Sequence, residues 1–168
     1  MTETGPTASD GSMEVFNAIR AMLDEAGAAY RSVHHEPTLT SEASALARGE
    51  SINVGGKALL MKVGETFRLF VLSAALKADA GAIRRRFGEK KSRFATREEL
   101  LELTGLVPGS VPPFGAPILP FELFADESIP ANDRIAFNAG SLTDSIILPM
   151  ADYLRLAKPQ VFAFSTTS

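Results

Sequence analysis

A chain of 168 residues, 45% hydrophobic and 22% charged, is long enough to bury one core without staples. It has no cysteine, which excludes disulfides, thiolate catalysis and cysteine zinc sites; its two histidines, His34 and His35, are neighbours that a strand would point to opposite faces, a poor pair of metal ligands. The net charge of −3 argues against affinity resting on nucleic-acid backbone alone, and no apolar run is long enough to span a bilayer.

Residues 1–12, MTETGPTASDGS, are small and polar and lack the pattern of a signal peptide, so a disordered leader on a cytoplasmic protein is expected. Residues 13–26 have helical spacing, with Val15, Phe16, Ile19, Met22 and Leu23 on one face and Gly27 as the stop. A short strand over 29–34 ends at Pro37. Thr40 or Ser41 then caps a helix that runs to about Arg48, where Gly49 closes it.

Residues 51–62, SINVGGKALLMK, place two glycines before Lys57 and an apolar run after it. A turn at 63–66 and a second apolar run at 67–72 make a hairpin. Lys57 then stands at the mouth of a core strand, where glycines leave the backbone open. It is either a strand-end lysine that snorkels to water or a partner for a phosphate or carboxylate.

A helix over 80–87 carries three consecutive arginines, within the basic stretch 84–93 (RRRFGEKKSR), which is a solvated face or a local nucleic-acid surface. Thr96 and Glu99 form the frame of a capping box for a helix ending near Gly105. Residues 106–120, LVPGSVPPFGAPILP, hold five prolines and two glycines, which fix the backbone without regular structure. Strands follow at 121–125, 134–137 and 145–148, with a turn at Asn138-Ala139-Gly140-Ser141. Pro149 opens a last helix, and 161–164 is a closing strand. Hairpins and helices alternating along one chain mean a single α/β domain with a mixed, curled sheet and helices outside.

No serine elbow, zinc-protease helix or phosphate-binding loop is present. What remains are three backbone-rich stretches: Gly55-Gly56 with Lys57, Gly109 to Gly115, and Asn138 to Ser141. Such stretches offer N–H groups to an oxyanion or carbonyl. Each also has a purely structural reading. Phe114 can plug the core, and Asn138 to Ser141 can be only a hairpin turn.

Four motifs in order carry a resemblance. They are His35-x-Pro37-Thr38-x-x-Ser41-Glu42-Ala43, Gly56-Lys57-Ala58-Leu59-Leu60-x-Lys62, Pro108-Gly109-Ser110-Val111-x-Pro113-Phe114-Gly115, and Phe137-Asn138-Ala139-Gly140-Ser141. Together they resemble the YbaK/prolyl-tRNA synthetase-associated (ProX, INS-type) editing-domain family. The resemblance implies one domain over 13–168 with a curved, partly barrel-like mixed sheet and surrounding helices. It implies hydrolysis of the ester between a wrong amino acid and a tRNA, by the free-standing kind of member acting in trans. The implied partner is the 3′ end of aminoacyl-tRNA, with a synthetase second. No metal, cofactor or membrane is implied, and the oligomeric state is left open.

On this resemblance Lys57 holds a terminal phosphate or polar group, while Gly109, Ser110 and Gly115 supply backbone amides that polarise the ester. Asn138, Ala139, Gly140 and Ser141 close and size the amino-acid pocket. His35, Thr38, Ala58, Pro113, Phe114 and Asp144 complete the substrate-binding set. The alanine-specific branch has an asparagine after the lysine and a His-Pro pair in the late turn; here stand Ala58 and Phe137-Asn138-Ala139-Gly140. The cysteine-specific branch has Lys-Thr-Leu and a late aspartate, whose place falls to Asp144 or Ser145. Neither branch's substrate is assigned. Two other readings compete: a tRNA- or synthetase-binding module without turnover, and a hydrolase of small activated esters, which the acidic pI fits.

Overall fold

The computed structural model describes residues 13–38 and 40–167; the leader expected over 1–12 lies outside them. Helix α1 (Met13–Glu25) buries Phe16, Ile19 and Leu23, the face its spacing predicts. Strand β1 (Arg31–His34) leads to α2 (Ser41–Arg48), whose first turn is capped by the Thr40 hydroxyl accepting from Ala43 N–H. A 3-10 turn at Ile52–Val54 delivers the chain to the hairpin of β2 (Gly56–Val63) and β3 (Thr66–Ser73). The hairpin pairs without a break from Gly56↔Ser73 to Val63↔Thr66. A two-residue strand β4 (Lys77–Ala78) precedes α3 (Ala80–Phe87), capped by Asp79; β5 (Ser92–Phe94) precedes α4 (Arg97–Thr104). The capping box of Thr96 and Glu99 is formed on both sides. After the proline-rich segment come β6 (Leu123–Ala125), β7 (Arg134–Asn138) and β8 (Asp144–Pro149). Helix α5 (Met150–Ala157), β9 (Gln160–Val161) and β10 (Ser165–Thr166) finish the chain.

The strands form two principal sheets. One has the order β5-β2-β3-β6-β9, antiparallel at the hairpin and parallel from β3 to β9, so it is mixed. The other is antiparallel, β1-β8-β7. A single bridge, Gly55 to Ala136, joins them at one corner. The mixed α/β domain expected from the sequence is thus what forms, its curled sheet made of two sheets joined at one corner and left open. Leu60, Leu69, Val71 and Leu123 meet Ile135, Phe137, Ile146 and Leu148 between them, closed off by α1 and α5.

The opposite face of the large sheet carries an aromatic cluster. Phe70 stacks on Phe124 at 5.5 Å and meets Phe164 edge-on at 5.4 Å, while Phe87 of α3 meets Phe124 edge-on at 5.1 Å. Each fully buried ring contributes roughly 1.5–3 kcal/mol, which is what holds α3 and the C-terminal segment on this face. The cluster also explains a departure from the sequence reading. The closing strand expected over 161–164 is only Gln160–Val161. Phe164 turns fully inward, and its N–H is taken by the buried Asp126 carboxylate at 2.7 Å instead of a strand partner. No helix among the described residues is long and apolar enough to cross a membrane.

Candidate active site

Two glycines shape the start of β2. A Cβ on Gly56 would lie 2.5 Å from Ile135 Cδ1, so only glycine lets β2 press against β7 at this point. A Cβ on Gly55 would lie 3.0 Å from Ala74 Cβ and 3.4 Å from Arg48 Nη1. Beside them opens a cleft of about 240 Å³, walled by α2, the first residues of β2 and the segment Pro108 to Val111.

Of the residues expected from the sequence, Thr38, Lys57, Ala58, Gly109 and Asn138 line this cleft. Lys57 is half-buried, and among the described residues its ammonium has no hydrogen-bond or ion-pair partner. Burial, then the neighbouring charge of Lys77, holds its pKa below the ordinary lysine value, with Glu42 opposing. Among the described residues, no carboxylate lines the cleft. The Gly109 and Val111 N–H groups donate to no acceptor among the described residues.

The rest of the expected set lies elsewhere. The Ser110 hydroxyl is spent on its own turn, donating to Val107 O at 2.8 Å. Phe114 packs edge-on against Phe137 and Tyr153, and the Pro113 carbonyl accepts from the Tyr153 hydroxyl at 2.8 Å. Gly115 is a packing glycine, since a Cβ there would lie 2.5 Å from the Phe121 carbonyl oxygen. The second half of the proline-rich loop is therefore core, and only its first half borders the cleft.

Ala139, Gly140, Ser141 and Asp144 likewise form a closed turn beneath α1, off the lining. Gly140 sits against Val15, and Ser141, Thr143 and His34 all donate to the Asp144 carboxylate. Burial raises the Asp144 pKa, but hydrogen bonds from His34, Thr143 and Ser141 outweigh it and leave the carboxyl below its ordinary value. Strand alternation sends Ser145 to the other face, toward the cleft wall.

That wall holds the residue that sequence reasoning missed. Arg48, 8% exposed, lines the cleft from the last turn of α2. Its Nε donates to Ser145 Oγ at 2.9 Å, its Nη2 to Asn138 Oδ1 at 3.1 Å and its Nη1 to the Ala136 carbonyl at 3.4 Å. Ser145 has one proton to share between His35 Nε2 at 2.8 Å and Asn138 Oδ1 at 3.1 Å. His35 thus reaches the site through Ser145 rather than touching the cleft. Asn138 Nδ2 donates onward to the Gly109 carbonyl at 2.7 Å, so the network spans from α2 to the proline-rich loop. Burial lowers the Arg48 pKa to about 10, with Glu50 opposing, so it stays cationic at neutral pH. The signal for it lay in the spacing Ser41, Ser44, Ala45, Arg48: a helix face of small residues with an arginine on it.

At the far end of β2, Lys62, Arg84, Lys90, Lys91 and Arg93 surround a second opening. Lys62 lies five residues on from Lys57, about 17 Å along a strand. Phe94 beside it is 58% exposed. Among the described residues, no group of three His, Asp or Glu side chains is placed to hold a metal ion.

The sequence pattern of the aminoacyl-tRNA editing domain family matches residues 35–156. A protein of Escherichia coli (strain K12) named Multifunctional Ser/Thr-tRNA deacylase ProXp-y is 38% identical over 160 residues, covering 88% of this chain and 91% of that protein. A solved structure described as a candidate trans-editing enzyme for prolyl-tRNA synthetase has a TM-score of 0.78 at 27% identity, over 90% of this chain and 97% of that one. A scaffold used for epitope grafting has a TM-score of 0.79 at 22% identity over 90% and 97% of the two chains, a likeness of fold alone.

Proposed function

The chain belongs to the aminoacyl-tRNA editing domain family, and we propose that it acts in trans as a deacylase removing serine or threonine from a wrongly charged tRNA. The observation that carries this reading is Lys57: a cation without an ion-pair partner among the described residues, at the mouth of a cleft whose described lining is hydroxyl-rich and holds no carboxylate. A cation so placed suits the phosphodiester of the tRNA's terminal nucleotide. Of the cleft hydroxyls on the α2 side, those of Thr38 and Ser44 bond each other at 2.7 Å and that of Thr40 caps the helix, while that of Ser41 has no partner among the described residues and suits an amino acid that itself carries a hydroxyl. The name of the E. coli relative supports the same substrate class.

An aminoacyl ester is already activated, so positioning and charge stabilisation suffice without a side-chain nucleophile. Lys57 anchors the 3′ end. The Gly109 and Val111 amides border the scissile carbonyl. Water adds to the carbonyl carbon, the ester bond breaks, and the ribose oxygen leaves with a proton, giving free amino acid and uncharged tRNA. A site that hydrogen-bonds a substrate hydroxyl discriminates more strongly against the analogue lacking it than a steric pocket does against one methylene. The synthetase that released the mischarged tRNA is a transient partner on this reading, and adding it should raise the observed rate.

The experiment is deacylation of one tRNA charged in turn with serine, threonine, alanine and cysteine, by wild type and by Lys57→Ala. Seryl and threonyl esters should be cleared fastest, with kcat/KM reduced roughly 100-fold or more in Lys57→Ala. Equal rates for the two proteins would sink the role of Lys57. Alanyl esters cleared as fast as seryl esters would sink the substrate class, and stoichiometric binding without turnover would leave only a binding module.

A further inference from the structure

Building on the deacylase reading, we propose that Arg48 is a catalytic residue that holds the oxyanion formed on the ester carbonyl. A guanidinium has five N–H donors. Three of Arg48's are spent on Ser145 Oγ, Asn138 Oδ1 and the Ala136 carbonyl, which fixes the plane of the group from behind. One N–H on each terminal nitrogen is left over, and the side chain lines the cleft.

All three acceptors are neutral. Glu50, two residues along the chain, would be the natural counter-ion. It is engaged instead by Arg31 at 3.0 Å and Arg134 at 2.8 Å. A buried cation whose partners are all neutral is costly for the fold. The cost is offset when a ligand brings negative charge to the same place. Gly55 keeps that place open, since a Cβ there would lie 3.4 Å from Nη1.

The chemistry fits the position. A substrate ester is neutral in the ground state and gains a full negative charge on oxygen as water adds. A fixed guanidinium in a dry wall stabilises the second state more than the first, which is the condition for raising kcat. Two cations, with no carboxylate among the described lining residues, also turn the amino acid's own ammonium away, leaving the carbonyl oxygen toward Arg48. The electron pair of the C=O bond moves onto oxygen, then returns as the ribose oxygen leaves. Arg48 exchanges no proton. Through Asn138 it also positions the Gly109 carbonyl, so one side chain sets both donors and loop.

The test compares wild type with Arg48→Lys and Arg48→Ala on seryl-tRNA. It also measures binding of two uncleavable seryl-adenosine analogues, an amide resembling the substrate and a phosphonate resembling the tetrahedral anion. Arg48→Lys keeps a charge but loses the fork. It should lower kcat roughly 100-fold with KM within about threefold. It should bind the amide as wild type does and lose the wild type's preference for the phosphonate. Guanidinium at tens of millimolar should restore part of the rate to Arg48→Ala, and methylammonium should not. Unchanged kcat in Arg48→Lys would overturn the proposal. So would equal loss of both analogues, which marks a structural role. If Arg48→Ala does not fold, Arg48→Lys and the two analogues still decide. A wild type inactive on every mischarged tRNA sinks the deacylase reading itself, whereas an active wild type matched by Arg48→Lys sinks only Arg48.

Discussion

Lys57 and Lys62 stand at opposite ends of one strand, and the cations around them are built in opposite ways. At the Lys62 end the charges lie at the surface, and two of the five are answered by a carboxylate. Lys62 pairs with Glu65 at 3.6 Å, and Arg93 grips Glu99 with two nitrogens at 2.8 and 2.9 Å. At the Lys57 end the charges are sheltered and unanswered. Lys57 has no ion-pair or hydrogen-bond partner among the described residues, and Arg48 is buried among neutral acceptors. Exposed ion pairs contribute little to stability, while a sheltered cation without a counter-ion lowers it. The first kind is kept at no cost to the fold. The second is stabilised when a ligand supplies the missing charge, so on the proposed reading the Lys57 end does the chemistry and the Lys62 end steers.

The largest effect should come from Lys57→Met. Deacylation should fall as far as in Lys57→Ala, yet Tm at pH 7 should rise by roughly 1–3 °C. The sign follows from the depressed pKa. A lysine whose folded pKa lies below its unfolded value destabilises the fold while it is protonated. That cost is present below the folded pKa and fades as pH rises toward the ordinary lysine value, so the gain from Lys57→Met should shrink at alkaline pH. A lower Tm at pH 7 would mean that Lys57 is answered after all. Next in size is the double change Lys90→Glu, Lys91→Glu at the far end. It should raise KM for tRNA roughly tenfold in low salt and flatten its salt dependence, with kcat unchanged. A fall in kcat instead would erase the division of labour between the two ends.

How much of this was legible in the sequence follows from what kind of signal each part leaves. Helix ends were plain, because caps are local: Thr40, Asp79 and Thr96 each bond a backbone N–H three residues on. The hairpin was plain for the same reason, two apolar runs around a turn. Lys57 stood out through its glycines. Arg48 did not, because an arginine in the last turn of a helix is ordinary. Its burial depends on Ala136, Asn138 and Ser145, which sit on strands that the fold, not the chain, brings beneath α2. The proline-rich loop misled in the other direction. Glycines and prolines mark a fixed backbone but not which side faces solvent, and Pro113, Phe114 and Gly115 turn inward with Phe114 packed on Tyr153, while Val111 stays on the cleft wall. The turn at Asn138 to Ser141 is similar: it reads as a tight polar turn, yet Ser141, with Thr143 and Asp144 after it, satisfies its polar groups internally.

The smallest effect tests the contrast most directly, because it predicts that a well-formed pair matters little. Glu99 accepts from Arg93 and from the Thr96 N–H, and these bonds pull its pKa to about 2. A depressed carboxylate contributes stability that is complete above its unfolded pKa, about 4.3, and is lost as pH falls toward 2. Arg93→Ala should therefore lower Tm at pH 7 by less than about 2 °C, because Arg93 is exposed and Glu99 only partly covered, so solvent screens the pair. The difference from wild type should shrink further between pH 4 and pH 2, and in high salt, since either one removes the attraction that Arg93→Ala removes. Thr96→Ala should cost more than Arg93→Ala, because the cap satisfies a backbone donor that no solvent ion replaces. If Arg93→Ala instead lowered Tm by many degrees, the exposed end of β2 would hold up the fold as the buried core does. Its cations could then no longer be read as a surface left free to meet tRNA phosphates.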